Sequence, residues 1–288
     1  MNNGIWQKLQ SIEPRFLYVV LLVIIAAPML FPGLALPIVP GQQSKDAYET
    51  IQKIGKENPP QLVLLDGVWS ASTRGESQWQ TQAIMLQLMR DHIPFATMSA
   101  DPQNPQLMEN IADPLAKKYG YVYGRDFVNF GFQVAYVQTL KGIVNDIKGT
   151  IKVDWNGKPL SQFPVLAHVN SIKDIGAVVE ITPASSLDSW LGLVTQIYHT
   201  PLIYVPTAVM APEGYPFRDS GQVAGILVGV KGAGDYEKLM GVKMEGTQVS
   251  TALSMVYALI IILVVVGNIG YHGGRLADKN AARREKAQ

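Results

Sequence analysis

The 288-residue sequence contains no cysteine. That absence excludes a disulfide framework, a thiolate nucleophile, an iron–sulfur cluster and any cysteine-bound zinc site. Excess charge of either sign is also missing: Lys+Arg 24 against Asp+Glu 23 gives a net charge of +1. Without a clustered basic surface in the middle of the chain there is no electrostatic footprint for nucleic acid. Histidine is scarce, and His92, His168, His199 and His272 show neither an H-E-x-x-H pattern nor close pairing, which speaks against a zinc hydrolase. No G-x-S-x-G elbow, P-loop lysine or dinucleotide glycine spacing occurs. The residues imply no cofactor, no resident metal and no catalytic constellation.

Charge is absent from two long stretches, Phe16 to Ser44 and Gly246 to His272. Each holds an apolar run near the length of about 20 residues that crosses a bilayer. The first predicted span, 16–39, is aliphatic to Ala27 and then carries Pro28, Pro32 and Pro37, so a bent or early-ending helix is expected. A cleavable signal is disfavoured, because Pro37 sits where a small-x-small processing site is needed. The second, 249–271, has Tyr257 and Tyr271 placed as interfacial residues and Arg275 just beyond it.

Orientation follows from basic residues beside the spans. The tails, 1–15 and 272–288, hold seven basic residues (Lys8, Arg15, Arg275, Lys279, Arg283, Arg284, Lys286) and three acidic ones (Glu13, Asp278, Glu285). Subtracting these from 24 and 23 leaves 17 basic and 20 acidic residues between them, net −3. Both tails are therefore expected in the cytoplasm. The protein reads as integral to the cytoplasmic (inner) membrane, with its middle domain periplasmic or extracellular.

After a linker, 40–60, in which Tyr48, Ile51 and Ile54 suggest an amphipathic turn or two, apolar runs alternate with helical patterns over 61–245. Strands are predicted at Gln61–Trp69, Pro94–Ala100, Val128–Phe132, Gly176–Thr182 and Pro201–Thr207, as continuous apolar runs of the buried parallel type. Helices are expected between them, with an insertion near 148–170 whose Asn156-Gly157 turn suggests a β-hairpin. The expected fold is α/β: a doubly wound, mostly parallel five-stranded sheet, Rossmann-like or flavodoxin-like.

Ligands of such sheets bind outside the carboxyl ends of the strands. That rule nominates a cleft of Asp66, Ser72, Thr73, Arg74, Asp101, Glu180 and Thr182. The loop Ser70–Ser77 has the hydroxyls, glycine and arginine that hold an anion at a helix N-terminus, although a solvated helix cap explains the same residues. Asp66, Asp101 and Glu180 offer hard oxygen ligands for a divalent ion, but single acids at strand ends also simply cap turns.

Gly221, Gly225 and Gly229 recur every four residues, so a helix from about Ser220 to Met240 would present a small-residue stripe. Each helical glycine costs about 1 kcal/mol relative to alanine, which calls for an offsetting contact, either with a partner helix or with the helix's own sheet. The expected function is a structural or accessory subunit of a membrane complex. Its partners would be the lipid bilayer and an integral-membrane protein or a second copy of the chain. Alternatives are a ligand-binding or sensory module using the cleft, and an envelope hydrolase or transferase using Asp66, Asp101 or Arg74.

Overall fold

A computed structural model describes Trp6 and residues 12–285; Lys8 and Lys286 of the basic tails fall outside the described residues. The chain divides into two compact units, Pro37–Thr247 and the combination of Met1–Leu36 with Gln248–Gln288.

The second of these contains α1 (Pro14–Leu30), which ends where Phe31 and Pro32 break the helical backbone, and a short 3₁₀ turn, Pro32–Leu34. With 17 residues α1 is shorter than the usual spanning length of about 20. At the other end of the sequence a 41-residue helix covers Glu245–Glu285. Its portion Glu245–Ala277 is long and apolar enough to cross a membrane.

In the unit Pro37–Thr247, α2 (Gln42–Gly55) buries Ala47, Ile51 and Ile54, so the segment expected to form a turn or two is a complete helix packed on the sheet. Six strands follow, all parallel: β1 (Leu62–Gly67), β2 (Phe95–Ser99), β3 (Phe127–Phe132), β4 (Ile175–Thr182), β5 (Leu202–Pro206) and β6 (Gly225–Ile226). Their spatial order is β3-β2-β1-β4-β5-β6. This is the Rossmann-like order rather than the flavodoxin-like one. The sheet has six strands where five were expected.

The helices of this unit are α3 (Arg74–Arg90), α4 (Asn104–Tyr119), α5 (Tyr136–Ile143), α6 (Ile147–Ile151), α7 (Leu187–Trp190), α8 (Ala211–Asp219) and α9 (Gly229–Leu239). The long helix Glu245–Glu285 is α10. Helix α7 continues through a π-helical turn, Leu191–Thr195. Strands alternate their side chains between faces. Val63, Leu65, Val179 and Val205 accordingly face α2, α3, α4 and α9, while Leu64, Val178 and Leu202 face the layer of α5, α6 and α7. Both faces are covered, and β1, β2 and β4 are buried along their whole length, which is why their sequences read as near-continuous apolar runs.

Helix α3 is rich in Gln, Leu and Met, all good helix formers, and is buried on several sides at once. It stops where His92 takes a left-handed backbone (φ 58°) ahead of Pro94. Helix α4 opens with Pro105 in its first turn and closes on the left-handed Gly120.

The region 148–170 is less regular than the expected hairpin. It contains α6, one antiparallel bridge between Val153 and Pro159 around the Gly157 turn, and short 3₁₀ turns. Trp155 N–H donates to the Asn129 carbonyl at 2.8 Å, so this insertion covers the free edge of β3.

The glycine stripe does not exist. Gly221 lies in a turn with φ 78°, Gly225 is in β6, and Gly229 begins α9 with φ 50°. A Cβ on Gly225 would lie 2.3 Å from the Ala47 backbone nitrogen, so this glycine serves the close approach of strand to helix. The four-residue spacing is a coincidence of three separate local demands.

Candidate functional site

Between β1 and β4 the chain order reverses, since β1 is followed outward by β2 and β3 and the chain then returns to β4. Asp66 and Glu180 are register partners across this point. Neighbouring strands lie about 4.8 Å apart. The two side chains share the sheet face that carries Leu64 and Val178. Both residues are 0% exposed.

Two side chains from the covering layer close over Asp66. Tyr136, the first residue of α5, donates its hydroxyl to Asp66 Oδ2. Trp190, the last residue of α7, donates Nε1–H to the same oxygen at 2.8 Å and lies 3.0 Å from the Tyr136 hydroxyl. Asp66 Oδ1 and both Glu180 carboxyl oxygens have no hydrogen-bond partner.

Burial pushes the Asp66 carboxyl up from 3.8 to about 6, opposed by the hydrogen bonds from Tyr136 and Trp190. Glu180 is pushed well above the ordinary carboxylate range, first by burial; the nearby Ser186 hydroxyl, whose proton goes to Thr182, opposes this in part, while Asp66, Glu213 and Asp188 add to it. Two unit charges about 5 Å apart in an effective dielectric of about 20 repel by about 3 kcal/mol. Burial and this repulsion together disfavour two charges on the pair at once.

The remaining nominated residues are scattered. Thr182 lies on the same face of β4 but turns its hydroxyl to its own loop, accepting Ala184 N–H at 3.0 Å and the Ser186 hydroxyl at 3.1 Å. Ser72, exposed in the loop after β1, is 2.8 Å from the Ser70 hydroxyl. Thr73 precedes α3 without a side-chain cap, and the exposed Arg74 donates to Gln78. Asp101 accepts the Gln103 N–H at 2.8 Å within its own turn. Among the described residues no group of three or more histidine or acidic side chains is arranged to hold a metal, so Asp66, Asp101 and Glu180 do not form one.

The anion reading of the α3 N-terminus meets a specific obstacle. Glu76 sits in the first turn, and its carboxylate accepts Ala208 N–H at 2.8 Å from the loop after β5. A protein carboxylate thus already holds the position at which the helix dipole favours negative charge. The switch point as a whole is acidic and capped rather than open and basic.

Two shallow cavities lie at the opposite, amino ends of the strands. One, of about 400 Å³, is lined by Pro60, His92, Pro94, Tyr121 and Arg125; the other, of about 470 Å³, by Lys53, Gln61, Lys173, Gly176 and His199.

Four residues of consequence are not marked by any local pattern. Trp190 and Tyr136 reach Asp66 only through the fold. Glu237 and Asp235 on α9 are the other two. Asp235 Oδ2 accepts Gly41 N–H and the Ser44 hydroxyl, each at 3.1 Å, at the start of α2, and pairs with Lys231. Glu237 accepts the N–H groups of Met244, Gly246 and Thr247 at 2.8 to 2.9 Å, at the start of α10. The available signal was the pair of acids, two residues apart, in a helix that precedes a long apolar run. Comparison with known proteins finds no family model that matches this chain, and no similar curated protein or solved structure.

Proposed function

We propose that the protein is a two-pass subunit of the cytoplasmic membrane, with both termini cytoplasmic. Its α/β domain, on the outer side, serves as a structural or accessory part of an integral-membrane assembly. The observation that carries this reading is the double attachment to α9. The residues that follow the first apolar segment are held by Asp235, and those that begin the second long helix are held by Glu237. Buried carboxylates at helix N-termini are favoured by the helix dipole and by several charge-assisted hydrogen bonds. Ordered, hydrogen-bonded chain connections at both ends of the domain suit a scaffold.

The surface of the two apolar helices supports the membrane placement. Phe16, Leu22 and Leu30 on α1 and Ile261, Val264 and Val265 on α10 are exposed, and only 17% of the most apolar window of α10 is buried. Contiguous exposed apolar surface of this kind belongs in lipid or against another membrane protein.

The test is purification of the intact chain in mild detergent from its native membrane, followed by native mass spectrometry. A stoichiometric integral-membrane partner is the expected result. A lone chain carrying a bound small molecule would replace this reading with a ligand-binding one. Reporter fusions at Met1 and Gln288 check the topology: activity of an extracytoplasmic reporter at either terminus would overturn it.

A further inference from the structure

Three carboxyl oxygens of the register partners Asp66 and Glu180 have no hydrogen-bond partner: Asp66 Oδ1, Glu180 Oε1 and Glu180 Oε2. Their residues are fully buried, and such oxygens are rarely left unsatisfied in folded proteins. A carboxylic O–H between the two groups resolves most of this deficit, because Glu180 then donates to Asp66 Oδ1 while Asp66 Oδ2 keeps its bonds from Tyr136 and Trp190. We propose that Asp66 and Glu180 form a proton-binding site that holds one proton between them, and that loss of this proton destabilises the domain.

The surroundings of the pair supply nothing that replaces the proton. From α5 it is faced by Tyr136, from the α7 region by Asp188, Ser186 and the uncharged Trp190, from α8 by Glu213, and from β5 by Tyr204, the register partner of Glu180. Met98 lies beside Asp66 on β2. Among the described residues no lysine, arginine or histidine forms an ion pair or hydrogen bond with either carboxyl. When base removes the proton as water, the site holds two adjacent carboxylates and no counter-charge. Hydration is the remaining way to satisfy them. The covering element is small: α5 has eight residues, and the segment ahead of it exposes Val134. This site is independent of the accessory-subunit reading and holds whatever partner the protein has.

The experiment uses the full chain in detergent and two readouts over a pH series, the infrared C=O stretch of a protonated carboxyl and the melting temperature. The wild type is expected to retain a buried carboxylic acid band at neutral pH. It should lose that band at higher pH together with a fall of about 5 °C in melting temperature relative to Glu180→Gln. Glu180→Gln should lack the band and melt at a temperature insensitive to this pH range, since its amide N–H donates to Asp66 Oδ1 as the acid does.

Absence of the band from the wild type at neutral pH, or an equal fall in Glu180→Gln, overturns the proposal. If Glu180→Gln does not fold, Asp66→Asn decides. Its side-chain oxygen still accepts from Tyr136 and Trp190, and removal of the neighbouring charge should shift loss of the Glu180 band to lower pH. An unshifted band overturns the proposal. Stabilisation of the wild type at alkaline pH by magnesium or calcium, absent in Glu180→Gln, would assign these oxygens to a metal cation and overturn it equally.

Discussion

Asp235 and Glu237, two residues apart on α9, each accept hydrogen bonds at the start of a different helix: Asp235 from Gly41 N–H and the Ser44 hydroxyl at α2, Glu237 from three backbone N–H groups at α10. One short helix thereby secures both ends of the chain that enters and leaves the sheet. Glu237→Ala, which strands three N–H groups, should destabilise the domain by about 2 to 4 kcal/mol in chemical denaturation. Asp235→Asn should cost about 1 to 2 kcal/mol. Because the two carboxylates serve different helices, the double variant should be additive within about 0.5 kcal/mol. A strong coupling between them would mean that the two attachments form one unit.

Gly225→Ala should be among the most damaging single methyl additions. The new carbon meets the Ala47 backbone in a strand-to-helix contact that has no flexible atom to move, and a loss of about 2 to 4 kcal/mol is expected in urea denaturation. Gly221→Ala meets open space and only the strain of φ 78°, so about 1 kcal/mol is expected. Equal costs at the two positions would contradict the assignment of Gly225 to β6.

Asp66 gives stability a definite dependence on pH. Its folded-state value of about 6 lies above the ordinary 3.8, so the folded protein holds this proton more tightly than the unfolded chain. The associated stabilisation is complete below about pH 3.8 and is lost as the pH rises through about 6. A displacement of this size corresponds to about 3 kcal/mol. The difference in unfolding free energy between wild type and Asp66→Asn should therefore shrink by up to that amount from acid to neutral pH. A difference that grows with pH would show that Asp66 is stabilised as the anion.

Tyr136→Phe removes the hydroxyl from Asp66 Oδ2 without changing ring volume. Loss of a hydrogen bond to a buried carboxylate should cost about 1.5 to 3 kcal/mol at neutral pH. It should raise the Asp66 value further, because that hydrogen bond lowers it. Nuclear magnetic resonance titration of the Asp66 carboxyl carbon reads the shift directly, and an unchanged value would remove Tyr136 from the site.

The loop of Ser72, Thr73 and Arg74 should be inert toward anions. With Glu76 seated in the first turn of α3, inorganic phosphate at millimolar concentration should leave the melting temperature unchanged, and Arg74→Ala should alter stability by no more than about 0.5 kcal/mol. A phosphate-dependent rise that Arg74→Ala abolishes would restore the anion site.

The first five strands were legible because burial on both faces leaves an unmistakable local trace: Leu62–Gly67 and Ile175–Thr182 read as near-continuous apolar runs, interrupted by Asp66 and Glu180. β6 was not legible. Its two residues become a strand only by pairing Gly225 and Ile226 with Ile203 and Tyr204, and the surrounding glycines imitate a helical repeat. Helix α8 forms despite Pro212, Gly214 and Pro216. Proline at the helix start is compatible with a helix, and a Cβ on Gly214 would meet the Tyr204 ring.

From the sequence alone come the two charge-free apolar segments, the alternating α/β pattern and the nomination of Asp66 and Glu180 as strand-end acids, because hydrophobic periodicity and strand termini are local properties. The tertiary structure decided the strand order, the meeting of those two acids in register, and their closure by Tyr136 and Trp190, the latter 124 residues from Asp66. Such encounters depend on how crossovers thread the sheet, and no short-range pattern carries that information.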